Sequence, residues 1–118
     1  EVDRTTLTEL LYTQKYRVVT AKDGTSAMNI LERQPEVKLL ITAYELPDMD
    51  GCSLCRKIRE NMGPKDLAIL GFTSLVVPEI GARFLKSGAT EIITRESYIL
   101  EEFFCRVHRC IEALDVIK

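Results

Sequence analysis

The sequence lacks several features that would assign it to a specialised class of protein. It has no tryptophan, a single histidine, and no apolar run that approaches the ~18 residues needed to span a membrane. No signal-peptide pattern is present, so we expect a cytoplasmic location and no membrane partner. The 16 basic residues nearly balance the 18 acidic ones, which argues against a general nucleic-acid binder.

Cysteine and histidine are too sparse to predict a metal or redox centre. Cys52 and Cys55 form one Cys-x-x-Cys pair, but zinc requires four converging ligands and no second pair follows. Cys105 and Cys110 lie far along the chain, and without a secretion signal we expect reduced thiols. Cys55 falls on an apolar helical stripe and is predicted to be a core residue. His108 could carry a phosphoryl group, but we expect a partly exposed residue with a structural role.

The residues that are present predict one globular domain over residues 1–118. Apolar residues make up 46% and charged residues 29% of the chain, an ordinary globular composition. Stripes of helical period alternate with short β-branched or apolar runs, which indicates a parallel sheet covered by helices on both faces. The first helix is predicted over residues 3–14, and in the fourth we expect Ile80, Phe84 and Leu85 to be buried. The predicted strands are 17–21, 37–42, 67–72 and 91–94.

Residues 40–51 carry the most specific motif, an apolar strand followed by a loop with Pro47 and then Gly51 at a helix start. With Ala21-Lys22-Asp23-Gly24, Phe72-Thr73-Ser74 and Lys86-Ser87-Gly88-Ala89 in order, the sequence resembles the receiver domain of two-component response regulators. The resemblance implies a CheY-like, flavodoxin-like doubly wound sheet of order 2-1-3-4-5. Its first central strand and metal-binding acidic pair would precede Glu1, so we expect a fragment of a larger multidomain signalling protein.

The positions that the family uses for phosphorylation are degenerate here. The resemblance places Ala43 at the phosphoacceptor aspartate, Arg95 at the lysine and Glu96 at the cis-proline, whereas Thr73 keeps the family's hydroxyl. A methyl group has no oxygen with which to attack phosphorus. We therefore expect no aspartyl phosphorylation, no catalytic residue, no bound metal and no cofactor, although intact family members bind magnesium.

Two alternatives to this hypothesis stay open. Ala43 could be an engineered replacement, or a nearby acid in the following loop could accept the phosphoryl group in its place; the candidates are Glu45, Asp48 and Asp50. Against that, acidic residues in such a loop commonly form solvated turns. A small flavodoxin-like enzyme or cofactor binder is a third option, but no glycine-rich phosphate loop supports it.

The resemblance also predicts how such a domain would act. We expect an adaptor rather than an enzyme, one that regulates a neighbouring output domain such as a diguanylate cyclase, or that contacts a neighbouring receiver or a histidine kinase pathway. The face formed by the fourth helix, fifth strand and fifth helix is a candidate for docking or homodimerisation, with solvent exposure as the equal alternative. It comprises Arg83, Lys86, Ile92, Tyr98, Glu102 and Arg106. The short basic runs at residues 56–59 and 106–109 are expected to be solvated.

Overall fold

The computed structural model describes residue 9 and residues 16–73, 79–94 and 100–117, with side chains over 102–110 in the last of these ranges. Helices and strands alternate along the described chain. They are α1 (Gly24–Arg33), β1 (Leu39–Thr42), α2 (Gly51–Arg59), β2 (Ala68–Thr73), α3 (Glu79–Ser87), β3 (Glu91–Thr94) and α4 (Leu100–Ile117). None of the helices in the described ranges is long and apolar enough to cross a membrane.

The three strands form a parallel sheet in the order β1-β2-β3. Every residue of the central strand β2 is buried, as expected for a strand covered on both faces. Ile69 packs into a core cluster with residues of α1, α2 and α3. Its neighbours Leu70 and Phe72 point the opposite way and pack with Phe103 of α4. The predicted doubly wound α/β architecture is therefore confirmed.

The helix ends follow from local side-chain and backbone chemistry. The Asp23 carboxylate accepts a hydrogen bond from the Ser26 N–H at 2.8 Å and begins α1, and Asp50 caps α2 through the Ser53 N–H at 2.7 Å. Gly88 ends α3 with a φ of 113°, a left-handed conformation that glycine adopts without strain. These observations confirm the turn and cap predicted at residues 23–25 and the predicted end of the fourth helix.

The strand predicted over residues 17–21 was wrong. Residues 16–20 form no strand, although Val18 packs against the core on the α4 side and Val19 is 53% exposed. Within the described ranges, no strand pairs with β1 on the side away from β2. The β-branched run thus keeps an alternating pattern, but among the described residues it pairs with no backbone to form a ladder.

Two further predictions concern the burial of Leu85 and the helix over residues 3–14. Leu85 was expected in the core, but it is 50% exposed while Phe84 is fully buried. Phe84 lies on the buried stripe of α3 with Gly81 and Ser87, three residues to either side, whereas Leu85 lies about 100° further round the helix and faces solvent. Of the helix predicted over residues 3–14, only Glu9 is described, and it is helical; the rest of that prediction lies outside the described residues.

Candidate functional site

The carboxyl ends of all three strands meet at one edge of the sheet. The parallel register places Thr42 beside Gly71 and Thr73 beside Thr94, and Ala43 follows β1 directly. Open parallel sheets bind their ligands at this edge. The structure therefore brings Ala43 and Thr73 to the same edge, as predicted. Arg95 and Glu96 lie outside the described residues, so their part in the site stays a prediction.

Ala43 lies in a tightly folded junction between β1 and α2. The Thr42 hydroxyl donates to the Ala43 carbonyl at 2.9 Å, and the Gly51 N–H donates to the Tyr44 carbonyl at 2.6 Å. The half-buried Ala43 side chain is a methyl group, which offers no nucleophilic oxygen. Nucleophilic attack on phosphorus at this edge would therefore need an oxygen from another residue.

The Asp48 carboxylate is hydrogen-bonded to the start of α1. It accepts hydrogen bonds from the Thr25 hydroxyl at 2.7 Å and from the Gly24 and Thr25 N–H groups at 2.9 and 3.0 Å. The Thr25 hydroxyl and these backbone donors lower the pKa of Asp48 from 3.8 to about 2. Asp48 thus ties the loop after β1 to the first turn of α1.

The other two acids of the loop differ from each other. Asp50 caps α2, whereas Glu45 is exposed and joins Asp50 only through a backbone bridge. Magnesium is held in such sites mainly by carboxylate oxygens. With Asp48 and Asp50 bonded to helix N-termini and a methyl group at Ala43, the described residues of this edge do not fit a magnesium site.

Asp48→Asn should weaken the domain in a pH-dependent way. The folded-state pKa of about 2 lies below the ordinary value of 3.8, so the carboxylate contributes stability above about pH 4 that is lost as pH falls toward 2. In urea unfolding experiments, we expect the difference between the parent and Asp48→Asn to be constant at neutral pH and to shrink across that window. Glu45→Gln, in the same loop but exposed, is the matched control. A difference independent of pH would contradict this role for the carboxylate.

Three of the four cysteines are buried within the described part of the chain. Cys52, Cys55 and Cys110 are buried, and desolvation raises the pKa of Cys55 and Cys110 to about 11 and also raises the pKa of Cys52. Within the described ranges, no group of three or more histidine, cysteine or acidic residues could hold a metal ion. Cys55 is confirmed as a core residue, and Cys105 and His108 are exposed on α4.

Part of the predicted docking face lies where β3 meets α4. Arg106 pairs with Glu91 at 2.9 Å and Glu102 at 3.0 Å, and also donates to the Ile92 carbonyl at 2.8 Å. The Ile92 side chain packs towards α3, where its Cδ1 lies 3.0 Å from the position that a Cβ on Gly81 would take. Arg106 is therefore bonded within the domain. The basic run at residues 106–109 had been expected to be solvated.

Arg83 and Lys86 lie at a different place from Arg106. Both are exposed on α3 and line a groove beside α2, where Arg83 donates to the Tyr44 hydroxyl at 3.2 Å. The structure thus distributes the predicted face over two sides of α3. Tyr98 lies outside the described residues, and the use of this face as an interaction surface stays a prediction.

Arg59 was missed as a key residue, because its basic run was expected to be solvated. It is partly buried, and it donates to the carbonyl oxygens of Leu67 at 2.7 Å, Gly88 at 2.9 Å and Gly63 at 3.0 Å. Desolvation lowers the pKa of Arg59. Gly63 and Leu67 lie four and eight residues after Arg59 and Gly88 lies 29 residues after it. Backbone carbonyl groups carry no residue-specific signal, so the sequence pattern did not identify this role of Arg59.

Comparisons with known proteins agree with this geometry. A family model described as the response regulator receiver domain matches residues 1–101. The two-component response regulator ORR7 of Oryza sativa subsp. japonica is 36% identical over 94 residues, which cover 80% of this chain and 45% of that protein. ORR3 of Oryza sativa subsp. indica is 32% identical over 94 residues, which cover 80% of this chain and 72% of that protein.

A solved structure gives the same result in three dimensions. It is described as a probable two-component system response regulator/GGDEF domain protein, and it matches with a TM-score of 0.90 and 33% identity over 95% of this chain and 46% of that chain. The chain therefore spans less than half the length of this protein and of ORR7.

Proposed function

The chain belongs to the response regulator receiver domain family of two-component signalling, and from this premise we propose that it signals without aspartyl phosphorylation. The observation that carries the proposal is Ala43 at the carboxyl end of β1, the position at which the resemblance puts the phosphoacceptor. An alanine cannot form an acyl phosphate, because it has no side-chain oxygen to bond to phosphorus.

The loop after β1 supports the proposal because two of its three acids already have structural partners. Asp48 accepts three hydrogen bonds from the start of α1, and Asp50 accepts one from the start of α2. For either carboxylate to attack phosphorus, it would have to leave these donors. Glu45 is exposed and has no such constraint, so it is the alternative acceptor that an experiment must test.

Receiver domains are regulatory rather than catalytic, so the domain would act through protein partners. We propose that it regulates a neighbouring output domain, for which a diguanylate cyclase is one example. In support, two similar solved structures are described as response regulator/GGDEF domain proteins, of which this chain covers 46% and 47%. A neighbouring receiver, a histidine kinase pathway and a homodimer through α3, β3 and α4 are the other proposed partners, all in the cytoplasm.

Phosphorylation can be tested directly by intact-mass spectrometry. The chain is incubated with acetyl phosphate and magnesium, and in parallel with beryllofluoride and magnesium while its NMR spectrum is followed. We expect no mass increase and no magnesium-dependent shift of the amides around Ala43, because the phosphoacceptor oxygen is absent. A receiver with an intact aspartate serves as the positive control for both reagents.

A stoichiometric phosphoryl adduct would overturn the proposal. Glu45→Gln and Asp48→Asn would then show which acid carries the group, since only the acceptor's substitution abolishes the adduct. An adduct that persists in both variants would direct attention to Asp50.

A further inference from the structure

A groove of about 320 Å³ lies between α2 and α3, below the loop that follows β1. This volume is at the lower end of the range of about 300–1,000 Å³ that is usual for small-ligand sites. The groove contains none of the predicted phosphorylation-site positions. It is lined by Tyr44, Asp50, Cys52, Arg56, Arg83, Lys86 and Ser87.

Neutral hydroxyl groups hold the two arginines of this groove in place. Arg56 donates to the Ser87 hydroxyl at 3.1 Å and to the Ser53 hydroxyl at 3.1 Å. Arg83 donates to the Tyr44 hydroxyl at 3.2 Å. These bonds orient the guanidinium groups without neutralising them, and each retains further N–H donors.

Arg106 on α4 differs from these two arginines because its partners are charged. Two carboxylates, Glu91 and Glu102, pair with it at 2.9 and 3.0 Å. The acid among the groove's lining residues is Asp50, and its carboxylate accepts from the Ser53 N–H as the cap of α2. Lys86 makes no ion pair or hydrogen bond with any residue in the described part of the chain. Three cations against one carboxylate leave the lining with an excess of positive charge.

We propose that this groove is a binding site for a phosphomonoester. Oriented arginine forks match the oxygens of a phosphate group, and a nearby lysine adds a mobile cation. A phosphomonoester carries a charge of about −1.5 to −2 and three terminal oxygens at neutral pH. A single carboxylate has half that charge and two oxygens, so it would use fewer of the donors that Arg56, Arg83 and Lys86 present.

The phosphate group could belong to a free metabolite or to a phosphorylated side chain of a protein partner. Both sources present the same chemistry to the groove, so the experiment contains an arm for each. The proposal goes beyond the receiver function and requires no phosphoryl group on Ala43, although Tyr44, which follows Ala43, and Asp50, one of the alternative acceptors, both line the groove.

Isothermal titration calorimetry of the full chain tests the proposal. The probes are adenosine 5′-monophosphate, a short phosphoserine peptide, its unphosphorylated form, and glutarate as a carboxylate control. We expect saturable 1:1 binding of at least one phosphate probe that weakens as salt is added. Tighter binding of the nucleotide would indicate a metabolite, and tighter binding of the phosphopeptide would indicate a protein partner.

Charge-removing variants locate the site. Arg83→Gln and Lys86→Gln should each weaken the phosphate probe about tenfold, because each removes a charge-assisted hydrogen bond. Arg33→Gln and Lys65→Gln remove exposed cations elsewhere and should leave binding unchanged. Thermal melting checks that the exposed substitutions leave the fold intact. The proposal is overturned if no phosphate probe saturates, if glutarate binds equally well, or if the control variants weaken binding as much as the groove variants.

Discussion

Gly51→Ala is expected to destabilise the domain by about 3 kcal/mol, at the upper end of the usual cost of overpacking. A Cβ at this position would collide with the Ala43 carbonyl oxygen and lie 2.9 Å from Cζ of the Phe84 ring. The carbonyl is backbone and cannot rotate aside as a flexible side chain could. To relieve this collision, β1 and α2 would have to move apart, which would disturb the hydrogen bond from the Gly51 N–H to the Tyr44 carbonyl.

Urea unfolding followed by circular dichroism measures this effect. For a domain of this size, the loss corresponds to a fall in Tm of roughly 10 °C. Gly63→Ala is the matched control, because the nearest atom to its Cβ position is an Asp66 carboxylate oxygen at 4.0 Å. We expect that variant to stay within about 0.5 kcal/mol of the parent. Equal stability of the two variants would show that the approach of α2 to β1 is not a constraint.

Arg59→Ala is expected to cost about 3 kcal/mol by a different route. The guanidinium binds the carbonyl oxygens of Gly63 and Leu67 in the loop after α2 and that of Gly88 at the end of α3. Removing it takes this donor away from the Leu67 and Gly88 carbonyl groups, whereas the Gly63 carbonyl still accepts from the Asp66 and Leu67 N–H groups. Hydrogen bonds to charged groups are each worth roughly 1.5–3 kcal/mol. Because the groups share one donor, their losses do not add, and the total stays well below the sum.

Arg59→Lys separates charge from geometry. A lysine keeps the positive charge at the end of α2, but its single ammonium cannot span three carbonyl groups as the planar fork does. We therefore expect a loss of about half that of Arg59→Ala, measured as the free energy of unfolding in urea. Arg33→Ala is the control, since Arg33 is also the last residue of a helix but is exposed. A lysine variant as stable as the parent would show that charge alone matters.

Local chemistry explains which parts of the fold the sequence predicted. Asp23 and Asp50 cap helices through their own neighbours three residues on, so their effect is visible in a short stretch of sequence. The fully apolar run of β2 likewise indicates burial on both faces. The β-branched run at 17–21 has the same local character as a strand, but a strand also needs a partner backbone, and that is a property of the whole sheet.

In the candidate site too, features set by local sequence could be predicted and features set by distant contacts could not. Ala43 could be placed from motif order, because the loop with Pro47 and Gly51 fixes its position along the chain. The groove could not, since Arg56 and Ser87 are 31 residues apart and meet only when α2 packs beside α3. The bonds of Asp48 to residues 24 and 25 are equally non-local. A short acidic loop therefore looked like a solvated turn, although one of its carboxylates joins two elements.

The burial of the cysteines has a practical consequence for spectroscopy. At neutral pH the thiols of Cys55 and Cys110, with pKa values of about 11, are protonated and shielded, and Cys52 is buried as well. A maleimide reagent reacts with exposed thiolates, which leaves Cys105 on α4 as the accessible target. A fluorophore or spin label can thus be attached beside Arg106 in the native sequence, at the place where docking of a partner on α4 would change its signal.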